Sequence, residues 1–328
     1  MRKKLWLLTA MILVFTLFFI SCSKDNEGVE GEGEPQGTPP VSGDTDELIR
    51  ETIIYYEDDA GYLVPVMRKI PWVEGIAKYT LEVMMDTPDQ QEDLMMMGLR
   101  PLLPGNTEIL GMSIDQNGIA KLDLNKAVLD CENATEESNM IQGIVMTLSE
   151  FSTIEKVQFL IDGKIIDSMP HGTVVKEPIG PSDVNLEMAQ NTSTQGAKVT
   201  VFFQSTSSSL YDYLIPVTRV TSSENASLET AITELLKGPM DIDNMTIDIP
   251  PETKLLGVQM DKGVTYINFS KEFKDLANSE ESEDMVLRAV KMVAMQYAEV
   301  EEVEVLIEGK AYTGSAQLDN ISVFANQW

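Results

Sequence analysis

The chain is poor in the side chains on which most catalytic sites depend. Its 328 residues include one histidine and two cysteines. A Ser-His-Asp or Cys-His arrangement needs an imidazole, and the single one, His171, sits in a Met-Pro-His-Gly loop. Zinc sites built from Cys and His need three or four ligands, which this inventory cannot supply. No glycine-rich phosphate loop of the P-loop or dinucleotide type is present. Cations are scarce as well: 24 Lys and Arg face 53 Asp and Glu, for a net charge of −29. Such a surface disfavours nucleic acid, whose phosphates need Lys and Arg. It equally disfavours adhesion to an anionic bilayer through protein charge, and solubility is the simplest account of it.

The N-terminus is the exception to this acidity. Arg2, Lys3 and Lys4 precede residues 5–20, an uncharged stretch of 16 residues. A membrane-spanning helix needs about 20, so the stretch suits the h-region of a signal peptide. It ends in Phe19-Ile20-Ser21-Cys22, which resembles a bacterial lipobox, with Phe19 where Leu is usual. Residues 1–21 are thus expected to be a lipoprotein signal peptide, with Cys22 as the lipid attachment. An ordinary signal peptide and an uncleaved anchor are the alternatives. Cleavage would remove three basic residues and no acidic one, taking the charge from −29 to −32. Two or three acyl chains on Cys22 would hold the protein at the membrane far better than one. Residues 22–49 are rich in Gly, Pro, Glu, Asp and Ser, and cannot bury enough apolar surface to offset ordering entropy. They read as a tether spanning about 30 Å. Cys131 is then the one remaining thiol, set among acids in Leu-Asp-Cys-Glu, which disfavours a nucleophilic thiolate.

What the chain does have, it has twice. Residues 151–164, ending Leu160-Ile-Asp-Gly-Lys164, return at 297–310, ending Leu306-Ile-Glu-Gly-Lys310, 146 positions later. Leu63-Val-Pro-Val-Met-Arg68 is answered by Leu214-Ile-Pro-Val-Thr-Arg219, and Ile109-Leu-Gly-Met112 by Leu255-Leu-Gly-Val258. So long a period implies whole domains: 50–175, a linker at 176–197, and 198–328.

Each copy shows the same order of patterns. Residues 52–56 and 200–203 are opening strands, rich in β-branched and aromatic side chains. Residues 63–70 and 213–220 are second strands whose prolines demand an edge or a bulge. Val73, Ile76, Ala77, Thr80, Leu81, Met84 and Met85 follow helical spacing, as do Leu228, Ile232, Leu235 and Leu236. Hairpins follow at 109–124 and 255–269, then helices with Ile141, Ile144, Val145 and Leu148, or Leu287, Val290 and Ala294, on one face. Strands at 156–161 and 302–307 close each copy, and residues 321–324 read as an additional closing strand of the second. The fold class is α+β: two homologous domains, each a ββαββαβ unit with two helices packed on a mixed sheet.

Other candidate chemistry is thin. Asp241 to Asp248, with Glu252 at the twelfth position, has acids at calcium-loop spacing. Thr246 replaces the required Gly there, and Met245 offers no side-chain oxygen. The pairs Glu136-Glu137, Glu280-Glu281 and Glu301-Glu302 could serve glycoside cleavage, but such pairs arise by chance among 53 acids. At helix starts they complement the dipole on a solvated face. Met84, Met85, Met292 and Met295 read as core filling. The run Met95-Met96-Met97 has no apolar counterpart in the second copy and is the first candidate for a partner contact. Arg68/Arg219 and Lys164/Lys310 are the recurring polar positions.

The run from Ile141 to Lys164, with the proline strand, helix and Leu-Gly hairpin in order before it, resembles the signature of the GerM domain family. The resemblance covers about 250 residues and occurs twice. It implies an extracytoplasmic protein of sporulation or spore germination, lipid-anchored at the cell membrane and working with envelope or sporulation proteins near peptidoglycan. The domain is also similar to ring-building modules of secretion and sporulation channels, which implies a scaffold or adaptor. No catalytic residue, cofactor or metal comes with the resemblance. A cell-wall hydrolase or its regulator, and a solute-binding lipoprotein, are the alternative readings.

Overall fold

The computed structural model describes residues 49–187, 196–207, 211–314 and 326–327. Residues 5–20, Cys22, the tether up to residue 48 and residues 321–324 lie outside these. Among the described residues no helix is long and apolar enough to cross a membrane.

Each repeat begins with a long antiparallel ribbon. β1 (Ile49–Asp58) pairs with β2 (Leu63–Pro71), setting Tyr55 opposite Pro65. The Tyr55 N–H donates to Thr147 Oγ1 at 3.0 Å instead of to β2. That pair is therefore of the non-hydrogen-bonded type, and the N–H that Pro65 lacks removes no bond to β1. β7 (Lys198–Thr206) and β8 (Asp212–Val220) repeat the ribbon, with Phe202 opposite Pro216.

The first helix, α1 (Ile76–Glu82), is shorter than its sequence spacing suggests. Met84 and Met85 leave it because their backbone is taken elsewhere: the Met84 carbonyl accepts from Leu102 and Leu103 at 3.1 and 2.9 Å. Both methionines still pack in or against the core. Repeat one then inserts a helix absent from the expected unit, α2 (Pro88–Met95), followed by β3 (Leu99–Arg100) on the edge of β1. Thr87 caps α2 by accepting from Gln90 N, and Pro88 occupies the first turn, where its missing donor is harmless.

β4 (Ile109–Ile114) and β5 (Ile119–Leu124) form the hairpin; α3 (Ala134–Ser149) then crosses over to β6 (Lys156–Ile161), parallel to β5. Repeat two follows with α4 (Leu228–Leu235), β9 (Leu255–Asp261), β10 (Val264–Phe269), α5 (Glu280–Ala294) and β11 (Glu302–Ile307). A short β12 (Lys310–Ala311) folds back on β11. The Asp162-Gly163 and Glu308-Gly309 turns have φ of 48°/73° and 48°/77°. Two successive left-handed residues make the tight reversal for which Gly is needed at the second position.

The α+β class is as expected, with a refinement: in each repeat the ribbon and the three central strands are separate hydrogen-bonded sheets. α3 packs on both β1 and β6, and α5 packs on β7. The buried side chains of the two repeats form one contiguous cluster, within one compact unit.

Candidate functional site at the junction of the repeats

The outer edges of β2 and β8 carry the prolines, so neither can accept a full strand. Each receives instead a short arm from the other repeat. After repeat one, Val184 O accepts from Thr218 N at 2.9 Å, Glu187 N donates to Thr218 O at 2.8 Å, and Glu187 bridges in parallel to Arg219 on β8. At the far end of the chain, β13 (Asn326–Gln327) pairs in parallel with β2, Asn326 beside Val66. Val66 and Val217 are equivalent, so Asn185 and Asn326 occupy matching places in two reciprocal arms.

Their side chains do the same work. Asn185 accepts from Leu63 N at 2.9 Å and donates to Leu63 O and Pro216 O, both at 2.8 Å. Asn326 accepts from Leu214 N at 2.7 Å and donates to Leu214 O and Pro65 O at 2.9 and 3.0 Å. Leu63/Leu214 and Pro65/Pro216 are equivalent pairs, so the junction has a local pseudo-twofold. Each carboxamide satisfies backbone groups on both edges that sterics and proline forbid from pairing directly.

The ribbon tips complete the contact. Tyr213 donates to Asp58 Oδ2 at 3.1 Å, and the equivalent Tyr62 donates to Asp241 Oδ2 at 2.5 Å. Burial raises the Asp58 carboxyl above the usual carboxylate range, although hydrogen bonds from Tyr62 N, Tyr213 and Ala60 N oppose it. Gly98 lies so close to the second ribbon that a Cβ would meet Ser207 Cβ at 2.5 Å, and its φ is +66°.

Two further polar positions recur. Arg219, 2% exposed, places Nε and Nη2 on Glu187 Oε2 at 3.0 and 2.5 Å. It also donates to the carbonyls of Glu234 and Gly238 where α4 ends, and lies 5.3 Å from the Phe203 ring centre. Arg68 lies over the equivalent Tyr56 at 6.0 Å and pairs with Asp93 of α2 at 3.1 Å.

The second recurring position corrects the solvated reading of Glu137. It and Glu283, 146 residues on, are both fully buried. Glu137 accepts from His171 N and Thr173 N at 2.7 and 2.9 Å, and Glu283 accepts from Tyr312 Oη at 2.6 Å. Burial alone would raise the Glu137 carboxyl, but these donors hold it below the usual range. Each glutamate ties the chain that follows the Gly-Lys turn back onto the crossover helix of its repeat, α3 or α5.

The Germane family model, described as sporulation and spore germination, matches residues 53–167 and again 200–313. The chain belongs to this family. The spore germination protein GerM of Bacillus subtilis (strain 168) is 27% identical over 292 residues, covering 85% of this chain and 77% of that one. A solved structure, the tandem GerMN domains of the sporulation protein GerM from Bacillus subtilis, superposes with a TM-score of 0.68 at 26% identity. It covers 80% of this chain and 92% of its own, so the likeness spans both Germane repeats.

Just past the first Germane match, His171 Nε2 sits 2.7 Å from the Cys131 carbonyl oxygen, and its backbone anchors Glu137. Burial, then Glu136, Glu137 and Asp130, push the Cys131 thiol up to about 11. In the second, Asp241 is engaged by Tyr62 and Asn244, while Asp248 accepts from Ser282 at 2.8 Å. Glu136 accepts from Glu132 N at 2.7 Å, Glu280 and Glu281 lie in the first turn of α5, and Glu301 and Glu302 donate backbone N–H groups to Gly263 O. A cleft of about 470 Å³ in repeat one is lined by Glu57, Asp59, Asp86, Arg100 and Glu136. Glu57 is held there by Arg100 and by Asn139, and its equivalent in repeat two is Gln204. Another cleft, of about 550 Å³, runs between α3 and the first arm, past Asn139, Gln142, Val174 and Leu186.

Neither asparagine nor Glu283 is among the residues singled out from sequence, and Glu137 is singled out only as half of a candidate acidic pair. Asn185 lies in turn-like composition and Asn326 follows the mostly apolar residues 321–324; their shared signal is only that each comes after the Gly-Lys turn of its repeat.

Proposed function

We propose that this Germane-family chain is a non-catalytic scaffold or adaptor in sporulation or spore germination, held through lipid on Cys22 at the extracytoplasmic face of the cell membrane. One observation carries the reading: the reciprocal asparagine arms, which hold two copies of one family domain in a fixed pseudo-twofold relation. Of the polar side chains that recur between the copies, Arg68/Arg219 and Glu137/Glu283 are engaged in that architecture and in its internal ties, while Lys164/Lys310 are exposed at the turns that close each copy. A protein whose repeated features build a shape acts through the surfaces that shape displays. Family membership supports the link to sporulation, and the N-terminal motif supports the anchor.

The test is genetic and biochemical together. In a spore-forming host that carries the gene, deletion lowers the yield of germination-competent spores, and Cys22→Ala reproduces most of the loss. The purified chain releases no soluble fragments from peptidoglycan. Fragment release that disappears in Glu57→Gln would replace this reading with the hydrolase one.

A further inference from the structure

The largest exposures of apolar side chains in the described residues are Ile242 at 79% and Met96 at 76%. These two are equivalent. Arg100 pairs with Glu57 on β1 as Thr246 bridges to Gln204 on β7, and counting back four residues from each reaches Met96 and Ile242. The methionine run therefore does have an apolar counterpart, which an offset through Pro88 and Pro239 conceals. Met95 and Met240 add exposed apolar area beside them, at 64% and 43%.

Both loops abut the junction. Asp241, next to Ile242, receives the Tyr62 hydroxyl of the other repeat, and Gly98, two residues past Met96, touches Ser207 of the other ribbon. The pseudo-twofold thus carries one apolar tip from each repeat to either side of the same seam. Acids predominate around them: residues 86–98 contain Asp86, Asp89, Glu92 and Asp93, and residues 238–249 contain three Asp, while Arg100 and Lys237, just outside these stretches, are paired with Glu57 and Glu234.

We infer that these loops form a two-point docking surface for a basic protein partner, with Met96 and Ile242 as the apolar anchors. Burying two such anchors favours association, while the carboxylates select and steer a cationic rim. A second copy of this chain would bring like charges together, and an anionic bilayer would do the same. The surface rests on the scaffold reading, yet it fails separately. A deletion without a spore defect defeats that reading and leaves the binding intact.

The test uses the full chain in neutral phosphatidylcholine nanodiscs. The probes are an amphipathic peptide of leucine and lysine, its leucine–glutamate counterpart, and vesicles containing phosphatidylglycerol. Binding is read by fluorescence anisotropy, and self-association by sedimentation. The lysine peptide binds about tenfold or more tighter than the glutamate peptide. Met96→Ser with Ile242→Ser weakens it about tenfold, each single change does less, and Met96→Leu with Ile242→Leu restores it. Unchanged binding by the charge-neutral serine pair would expose mere attraction to an acidic protein and overturn the surface. Equal binding of both peptides would overturn the basic partner. Self-association, or vesicle binding, that is lost in the serine pair would assign the loops to a second copy or to a membrane instead.

Discussion

The two repeats place an arginine at the same point of the same strand, above equivalent aromatic rings, and then solve its charge differently. Arg68 finds Asp93 on α2, a helix that only the first repeat contains. Arg219 finds Glu187, which belongs to the arm leaving the first repeat. The partner of Arg68 comes from its own repeat, whereas Arg219 adds a carboxylate from the neighbouring arm to Glu234 of its own α4, at 3.7 Å. Duplication here preserved a site's geometry and let its partners diverge, so that at this position only the second repeat draws its nearest carboxylate from across the junction.

Arginine substitution should expose that asymmetry most strongly. Arg219→Ala removes the ion-pair partner of Glu187, which keeps only the Met240 N–H, and the donor to two helix-end carbonyls, at a cost of about 3–5 kcal/mol in urea unfolding. Arg68→Ala, whose partner Asp93 is half exposed, should cost about 1–2 kcal/mol. Equal losses would mean that the borrowed carboxylate contributes nothing special.

The arms allow the same comparison from the other side. Asn326 is 2% exposed, and Asn326→Ala leaves the Leu214 amide and two carbonyls without their partner. The expected loss is about 2–4 kcal/mol, with less for the partly buried Asn185. Because both reach the same two edges, the double variant should lose less than the sum. Strict additivity would argue that the arms act independently.

The buried glutamates differ in how they are satisfied, and pH separates Glu137 from Asp58. The Glu137 carboxyl is depressed, so its contribution is present above the ordinary carboxylate range and lost as pH falls through its folded value. Glu137→Gln should therefore destabilise by about 1–3 kcal/mol at neutral pH, and the difference should shrink in acid. Asp58 is raised, so its contribution is present in acid and lost as pH rises. Asp58→Asn should then compare best with wild type at neutral to alkaline pH. Parallel pH trends for the two variants would refute these assignments.

Much of this fold is legible in the sequence. Alternating strands, the Asp-Gly and Glu-Gly turns and the α3 and α5 faces all follow from local periodicity, and the repeat doubles each signal. Thr87-Pro88 was a readable start for α2, but Asp89 to Asp93 lacks apolar spacing, so the helix escapes a period-based reading. Glu137 and Glu283 are hidden for a different reason. A glutamate in the first turn suits the helix dipole whether or not it is buried, and burial comes only from the returning chain. The arms are hidden most deeply. What Asn185 and Asn326 recognise is backbone, and backbone left open by Pro65 and Pro216 has no side-chain pattern to announce it.

The smallest expected effect is on stability at the two loop tips, and it decides how the docking experiment is read. Met96 and Ile242 lie at equivalent exposed positions, so their burial contributes almost nothing to folding. Substitution by serine at either should change stability by no more than about 0.5 kcal/mol. Met97 differs from Met96 by one position but is 2% exposed. Met97→Ser should cost about 2–4 kcal/mol, since it empties a core site and buries a hydroxyl there. A chemical denaturation series on Met96→Ser, Ile242→Ser and Met97→Ser checks all three together. If Met96→Ser tracked Met97→Ser, the first tip would belong to the core, and any binding it lost would reflect unfolding. With Met96 and Ile242 neutral and Met97 costly, a loss of binding in the serine pair is a property of the surface itself.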